Sequence, residues 1–190
     1  MSERFDVLGT LRERGALLDG HFKLSSGRHS NRFVQKFRIL EDPKAVEPLA
    51  RDIAAAFAHA RPTVVVSAAI GGIVLGYEVS RQLGVKAIFV EKEGGVPKLR
   101  RSFALTPHDR ALVVEDVITT GGSVREVLEV VRSCGADLAG VGAIVRRGDV
   151  DFGVPTHALL ELPIESFEAA QCPQCARNEP ITDPGSRRTA

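Results

Sequence analysis

The stretch VVEDVITTGGS, residues 113–123, decides the fold of this chain of 190 residues. Its first residues form an apolar, β-branched run, which is typical of a strand that is buried on both faces. Two adjacent carboxylates, Glu115 and Asp116, end that run, and a loop of hydroxyl groups and glycines follows. From Ser123 onward, apolar residues recur at the spacing of one helix face. The stretch therefore predicts a strand, a tight loop and a helix in direct succession.

The loop between that strand and that helix has the composition of a phosphate-binding site. Glycines allow the tight curvature that brings backbone amides close to an anion, and a helix N-terminus attracts negative charge. Carboxylates at the lip of such a loop suit sugar hydroxyls or a hydrated Mg²⁺ ion. Each feature alone also fits a plain helix cap, turn or strand end, but their contiguity favours a binding site.

Similar patterns lie on both sides of this stretch. Apolar runs predict strands at residues 64–66, 85–90 and 138–145, and helical spacing is found at residues 41–60 and 73–83. Strands without polar alternation, separated by helices, are typical of a parallel sheet that is covered on both faces. The predicted fold is therefore α/β, with a doubly wound, mainly parallel sheet. Ligands of such sheets bind beyond the carboxyl ends of the strands, so we expect the site at that edge.

The composition excludes several classes of function. Lys and Arg total 25 against 24 for Asp and Glu, and a net charge of +1 excludes a protein that coats nucleic acid or membrane by bulk charge. Aromatic residues make up 5% without any Trp, which argues against a stacking platform for single-stranded nucleic acid. The charged first residues and the odd count of three cysteines predict a cytoplasmic protein that binds neither nucleic acid nor membrane.

The stretch at residues 115–123 resembles the phosphoribosyl pyrophosphate signature of type I phosphoribosyltransferases. The resemblance implies that the loop holds the 5′-phosphate of this donor, and that Glu115 and Asp116 contact the ribose hydroxyls directly or through water and metal. The implied donor-binding residues are Glu115, Asp116, Val117, Ile118, Thr119, Thr120, Gly121, Gly122 and Ser123. The implied cofactor is Mg²⁺ that the donor carries, and no protein ligand is assigned to it.

Residues 20–36, GHFKLSSGRHSNRFVQK, form a second motif: a strand, a basic polar turn and another strand. In isolation this pattern also fits an ordinary charged hairpin. Upstream of the signature, it resembles the N-terminal hood of orotate phosphoribosyltransferases, and that resemblance runs in consistent order from about residue 5 to residue 150. The implied orotate-binding residues are Ser25, Ser26, Gly27, Phe33, Thr119 and Arg146.

Two positively charged groups matter for this implied orotate site. Arg146 matches the family arginine that binds the orotate carboxylate, and a guanidinium fork suits a carboxylate in geometry. Some relatives carry a lysine where this chain has Ser25, so Lys23 or Lys36 would have to supply that charge here.

Two further loops match parts of the same family. Residues 68–72 resemble its pyrophosphate loop, with the implied members Ala68, Ala69, Ile70, Gly71 and Gly72. Residues 91–101 resemble its lid, in which glycines permit movement and cations suit a pyrophosphate leaving group. The cations of this lid are Lys92, Lys98, Arg100 and Arg101, and which of them acts is left open. The predicted catalytic set is Asp116, Glu115, Lys92, Lys98 and Arg100.

The resemblance as a whole implies transfer of a phosphoribosyl group from phosphoribosyl pyrophosphate to orotate in UMP biosynthesis, by a homodimer. One alternative is a purine phosphoribosyltransferase, which would share the signature but not the hood. The other is a regulator that senses phosphoribosyl pyrophosphate on the same fold. The implied organisation is a single phosphoribosyltransferase domain at residues 1–166, with the hood formed by about residues 1–40. Residues 167–190 lose periodicity and are predicted to be an irregular C-terminal extension.

Cys172 and Cys175 form a C-x-x-C pair in that extension. Such a pair supplies two of the four ligands that a structural zinc ion needs, and the others could come from the extension of a second subunit or from Cys134. It could equally be a redox pair or two reduced thiols. The sequence leaves these three interpretations open.

Overall fold

A computed structural model describes residues 5–24 and 26–184 of the chain. The helices are α1 (Val7–Glu13), α2 (Phe37–Leu40), α3 (Pro43–Phe57), α4 (Gly71–Leu83), α5 (Gly122–Ser133) and α6 (Pro173–Ala176). The strands are β1 (Leu17–Lys23), β2 (His29–Val34), β3 (Val64–Ala68), β4 (Lys86–Glu93), β5 (Val96–Leu99), β6 (Arg110–Ile118), β7 (Asp137–Arg146) and β8 (Thr156–Glu161). No described helix is both long enough and apolar enough to cross a membrane.

The larger sheet has six strands in the order β5-β4-β3-β6-β7-β8. Its neighbouring pairs are parallel except β4 and β5, which are antiparallel. This arrangement confirms the prediction of a doubly wound, mainly parallel α/β fold. The sequence pattern did not reveal the two edge strands, β5 and β8. Their residues are exposed or only half buried, so they lack the continuous apolar run that marked the central strands.

The two faces of this sheet are both covered, which explains the uninterrupted apolar runs. Val65 and Leu112 are fully buried on the face that packs against α3 and α4. Their neighbours Val66 and Val113 are equally buried on the opposite face, against α5. Since successive side chains of a strand point to opposite faces, a strand between two helical layers needs an apolar residue at every position.

The smaller sheet is the antiparallel pair β1–β2, which with its connecting turn we call the hood, residues 17–34. Leu17 pairs with Val34 and Lys23 with His29, and the register shifts between Asp19 and Phe22. The predicted strand pair is confirmed. Only the short helix α1 precedes the hood in the described chain, because the chain enters β1 at Leu17.

The described part of the C-terminal extension, residues 167–184, lies against the hood, and we call it the tail. Phe167 and His29 exchange two backbone hydrogen bonds of 2.8 Å. Thr182 accepts from the backbone N–H of Lys23 at 2.9 Å and donates to His21 at 2.8 Å. The tail is irregular, as predicted, and its two bridges make it part of the hood's own hydrogen-bond network.

Candidate active site

A cleft of about 560 Å³ lies between the hood and the carboxyl end of β6. The hood contributes Leu24, Ser26, Arg28, Phe33, Val34 and, just beyond β2, Lys36. The opposite wall carries Glu115, Asp116, Val117, Thr119, Thr120, Ser123 and Arg147, with Ile164 and Ser166 alongside. The cleft is therefore at the sheet edge where a doubly wound fold binds its ligands.

The loop of residues 119–123 joins β6 to α5 and borders this cleft and a second cavity of about 240 Å³. Gly121 has φ of 77°, and an added Cβ would lie 2.8 Å from the Phe152 ring, so only glycine fits there. The tight loop places hydroxyl groups of Thr119, Thr120 and Ser123 beside the N-terminus of a 12-residue helix. This geometry suits a phosphate group.

Glu115 and Asp116 are both buried at the floor of the cleft, with exposed fractions of 8% and 1%. The backbone N–H of Asp116 donates to Glu115 Oε1 at 3.0 Å, and that of Val117 donates to Asp116 Oδ1 at 2.6 Å. Burial, followed by the neighbouring charge of Asp116, raises the pKa of Glu115. Two carboxyl groups side by side are thus held with one of them biased toward its neutral form.

Lys36 is the cation that balances Asp116. Its Nζ lies 2.8 Å from Asp116 Oδ2 and 3.0 Å from Oδ1. The sequence named Lys36 only as one of two possible sources of charge, since nothing local shows that the end of β2 meets the end of β6. The structure brings this lysine to the carboxylate across 80 positions of sequence.

The predicted pyrophosphate loop, residues 68–72, follows β3, which is the sheet neighbour of β6. Its Ala69–Ile70 peptide bond is cis. A Cβ added to Gly71 would lie 2.0 Å from Asp116 Oδ2 and 2.5 Å from Lys36 Nζ. The absence of a side chain at Gly71 is therefore what lets this loop approach the buried ion pair.

The predicted lid is the hairpin of β4 and β5, which turns at Gly94 and Gly95. Its cations are paired within the described residues: Lys98 Nζ and Arg100 Nη2 lie 3.1 and 3.4 Å from Glu93. Arg101 pairs with Glu91 at 2.8 Å, and Lys92 Nζ lies 2.7 Å from Glu126 Oε1 on α5. Within the described part of the chain, Lys92 is the only one of these four lid cations that lines either cavity. It borders the smaller cavity together with residues 119–123.

Arg146 is the last residue of β7 and Arg147 follows it; Arg147 lines the cleft, whereas the family resemblance of the sequence implies Arg146 for orotate. Arg146 closes the register between β7 and β8, and its Nε donates to Glu161 at 2.9 Å. The chain then turns, and the backbone N–H of Arg147 donates to Ile118 at the end of β6. Burial lowers the pKa of Arg147, and its Nε has no hydrogen-bond partner within residues 5–24 and 26–184.

The hood turn supplies the roof of the cleft. Ser26 and Phe33 both line it, as predicted, and Gly27 lies between lining residues with φ of 80°. Ser25 lies outside the described residues. Arg28 is anchored where the tail begins, since its Nε donates at 3.0 Å to Oγ of Ser166, the residue just before the tail, and its guanidinium also pairs with Glu168.

Replacing Glu115 with glutamine is expected to stabilise the substrate-free protein increasingly as the pH rises. The pKa of Glu115 is raised from 4.5, so the fold keeps a proton that the unfolded chain releases. The contribution of this carboxyl to wild-type stability therefore falls as the pH rises above about 4.5. A glutamine can still accept from the Asp116 N–H and does not lose its contribution to stability with pH. Thermal unfolding between about pH 5 and about pH 8 should show a Tm gap that widens with pH. A gap that is constant or closes would contradict the buried, proton-retaining carboxyl.

Comparison with known proteins agrees with this geometry. The family model for the phosphoribosyl transferase domain matches residues 38–151, which include the ends of β3 and β6. The orotate phosphoribosyltransferase of Pelotomaculum thermopropionicum is 49% identical over 187 residues, which are 97% of this chain and 98% of the relative. That of Caldanaerobacter subterraneus is 47% identical over 188 residues, with 98% and 99% covered.

The same similarity is found among solved structures. The crystal structure of orotate phosphoribosyltransferase from Aeropyrum pernix superposes with a TM-score of 0.70 at 28% identity, over 82% of this chain and 93% of that one. Relatives of this name thus match nearly the whole length of the chain at 47% and 49% identity. The family model matches the domain that forms the cleft. The chain therefore belongs to the orotate phosphoribosyltransferases, a family built on the phosphoribosyl transferase domain.

Proposed function

We propose that this protein transfers the phosphoribosyl group of phosphoribosyl pyrophosphate to orotate, giving orotidine 5′-monophosphate and pyrophosphate on the route to UMP. The observation that carries the choice of base is Arg147. A half-buried arginine whose buried Nε has no partner among the described residues, beside a phosphate loop, fits a planar anion such as orotate. A neutral purine would leave that charge uncompensated.

The residues of the cleft divide the work of this reaction. Residues 119–123 bind the 5′-phosphate through hydroxyl groups and backbone amides, while Glu115 and Asp116 hold the ribose hydroxyls. Arg147 orients orotate so that a ring nitrogen faces C1 as the bond to pyrophosphate breaks. No protein nucleophile is required, because C1 passes through an oxocarbenium-like state that fixed negative charge stabilises. Closure of the lid over the cleft excludes water, which would otherwise hydrolyse the donor.

Mg²⁺ fits this site by the chemistry of its donors, since the floor of the cleft offers carboxylate oxygens, the ligands that this ion prefers. Asp116 Oδ2 is buried and receives no hydrogen bond from the described residues, although Lys36 lies close enough for an ion pair. Glu115 and Asp116 would hold the ion through the donor's hydroxyls or water. When bound, Mg²⁺ neutralises part of the charge of the departing pyrophosphate.

The direct test is the loss of orotate absorbance when the purified protein is mixed with orotate, phosphoribosyl pyrophosphate and Mg²⁺. We expect consumption that requires all three and stops when any one is omitted. Parallel reactions with adenine, guanine and hypoxanthine serve as the comparison. Turnover of a purine without turnover of orotate would overturn the proposal, and a gel shift with nucleic acid combined with no turnover would favour the regulator.

Among the lid cations, Lys92 is expected to matter most for turnover. It lies on the wall of the cavity that also contains residues 119–123, whereas Lys98 pairs with Glu93 within the hairpin. Lys92→Ala should lower kcat about 100-fold, because it removes a cation that stabilises the leaving pyrophosphate. Lys98→Ala is the matched control and should change kcat by less than about threefold, since Lys98 lines neither described cavity. The reverse order of the two variants in steady-state kinetics would reassign the lid cation.

The implied homodimer has a candidate surface on the first turns of α4 and the loop before it. Ile70, Val74 and Tyr77 are 77%, 46% and 67% exposed, and their spacing places them on one side of the chain. An apolar stripe of this size is better covered by a second copy of the chain than left in water. Light scattering of the purified protein should give twice the chain mass, and Tyr77→Glu should shift it toward the monomer.

A further inference from the structure

We infer that His21, His29, Cys172 and Cys175 bind one structural Zn²⁺ ion, which fastens the tail to the hood. Their donor atoms all lie within 4.8 Å of one another, and three of the four residues are buried. The sequence alone supplied only the cysteine half of this set. The other half comes from β1 and β2 of the same chain, and neither Cys134 nor a second subunit is needed.

Four donor–donor distances within this cluster are close to those of a tetrahedral zinc site. With Zn–N bonds of about 2.05 Å and Zn–S bonds of about 2.3 Å, tetrahedral ligands lie about 3.3 Å apart for two nitrogens and about 3.6 Å for nitrogen and sulfur. His21 Nε2 and His29 Nδ1 are 3.1 Å apart. Cys172 Sγ lies 3.4 Å from His21 Nε2, and Cys175 Sγ lies 3.7 Å from the same atom and 3.2 Å from His29 Nδ1. Four of the six edges of the tetrahedron are therefore within about 0.4 Å of the lengths that a zinc ion would impose, and the other two are no longer than 4.8 Å.

Local structure fixes each ligand in place. His21 lies in β1 and His29 in the paired strand β2. His29 is the register partner of Lys23, which is two residues after His21. Cys172 caps the short helix α6 and Cys175 lies within it, so the spacing of three residues puts both sulfurs on the same side. This is the C-x-x-C spacing that structural zinc sites use.

Hydrogen bonding outside the cluster suits metal binding by His21. Its Nδ1 lies 2.9 Å from the backbone carbonyl of Glu179, so this nitrogen carries the proton and donates it. Nε2 is then left with its lone pair directed at the two sulfurs and His29. On binding, each thiol loses its proton to solvent, and two thiolates balance the charge of one Zn²⁺. A neutral complex is what a buried site favours.

The site joins parts of the chain that also shape the cleft. The turn at residues 24–28 lies between the two histidine-bearing strands, and Ser26 and Arg28 from this turn line the cleft. Zinc would thus hold the roof of the orotate site from behind, together with the contacts between Arg28 and Ser166. The role is structural, because the four ligands leave no open position for a substrate.

Metal analysis of the full chain tests the site. Protein purified under reducing conditions without chelator should contain about one zinc per chain by plasma mass spectrometry, and Cys175→Ser and His29→Ala should each lose it. Cys134→Ser and His108→Ala are matched controls that should keep it, since neither residue belongs to the cluster. A metal-free wild-type protein, or zinc retained by Cys175→Ser, would overturn the proposal.

Cobalt substitution keeps the question answerable if the cluster variants fail to fold. Wild-type protein loaded with Co²⁺ should show the intense visible bands of tetrahedral coordination and thiolate-to-metal charge transfer, and Zn²⁺ should displace them. A spectrum of octahedral aqueous Co²⁺ would contradict a four-ligand site. A Cys172–Cys175 disulfide in protein freshly purified under reducing conditions would contradict it as well.

Tryptic cleavage at Arg177 tests the fastening role separately, because this residue lies in the tail just beyond Cys175. Removing zinc with a chelator should speed cleavage there by about 10-fold, and adding zinc back should restore protection. Cleavage at Arg101, in the exposed turn after β5 and followed by Ser102, is the internal control and should not change. An equal rate at Arg177 with and without zinc would show that the ion does not hold the tail.

Discussion

Asp116→Asn should lower kcat by about 100-fold or more while leaving the fold intact. The carboxylate is 1% exposed at the floor of the cleft, where negative charge stabilises the developing oxocarbenium character at C1. Asparagine keeps the shape and can still accept from the Lys36 ammonium and the Val117 amide. The expected loss is therefore one of charge rather than of packing, and steady-state kinetics with orotate should show it mainly in kcat.

Asp109→Asn is the matched control for that variant. Asp109 is also buried and pairs with a lysine, Lys86, at 2.9 Å, and this pair holds its pKa at about 2. It precedes β6, whereas Asp116 lies near the carboxyl end of that strand, so Asp109 is at the opposite end of β6 from the cleft. The control should lose thermal stability at neutral pH with kcat unchanged. Kinetics like those of the wild type in Asp116→Asn would remove Asp116 from the reaction.

Arg147→Leu should lower kcat/KM for orotate about 100-fold and, at the same time, leave the protein as stable as the wild type or more stable. The loss follows from removal of a charge-assisted pair with the orotate carboxylate, worth about 3 kcal/mol. The preserved stability follows because burial disfavours this guanidinium, whose Nε has no partner among the described residues. Steady-state kinetics and thermal unfolding of the same preparation measure both effects.

Arg146→Leu is the matched control from the neighbouring position. It breaks the ion pair with Glu161, whose side chain is 54% exposed, so only a small loss of stability is expected. Its kcat/KM should stay within about threefold of the wild-type value, because Arg146 does not line the cleft. If Arg146→Leu lowers kcat/KM for orotate and Arg147→Leu does not, the orotate carboxylate is assigned to Arg146, as the family resemblance implies.

The sequence predicted the structure of the part of the candidate site that lies within one continuous segment. Residues 113–123 carry strand, loop and helix together, so this unit could be located without knowing where any other segment lies. Val65 and Val66 face opposite sides of the sheet and both sides are covered, so the strand appears in the sequence as an unbroken apolar run.

What the sequence could not predict depends on contacts between distant segments. The pairing of Lys36 with Asp116 spans 80 positions, and that of His21 with Cys172 spans 151. No local pattern records such contacts. The assignment of Arg146 to orotate is a different case and stays a prediction: Arg146 ends β7 and Arg147 begins the turn after it, and pattern reasoning is least reliable at such element boundaries.

The bond between His21 and Glu179 joins residues that are 158 positions apart. During translation the hood strands leave the ribosome first, yet their partners in the tail are among the last described residues to be made. The sheet, whose strands lie between them in the chain, can therefore form before the hood is complete. The hood side of the cleft is then expected to fold last. Nascent chains that end before residue 167 should contain the folded sheet, with a hood that lacks its hydrogen bonds to the tail.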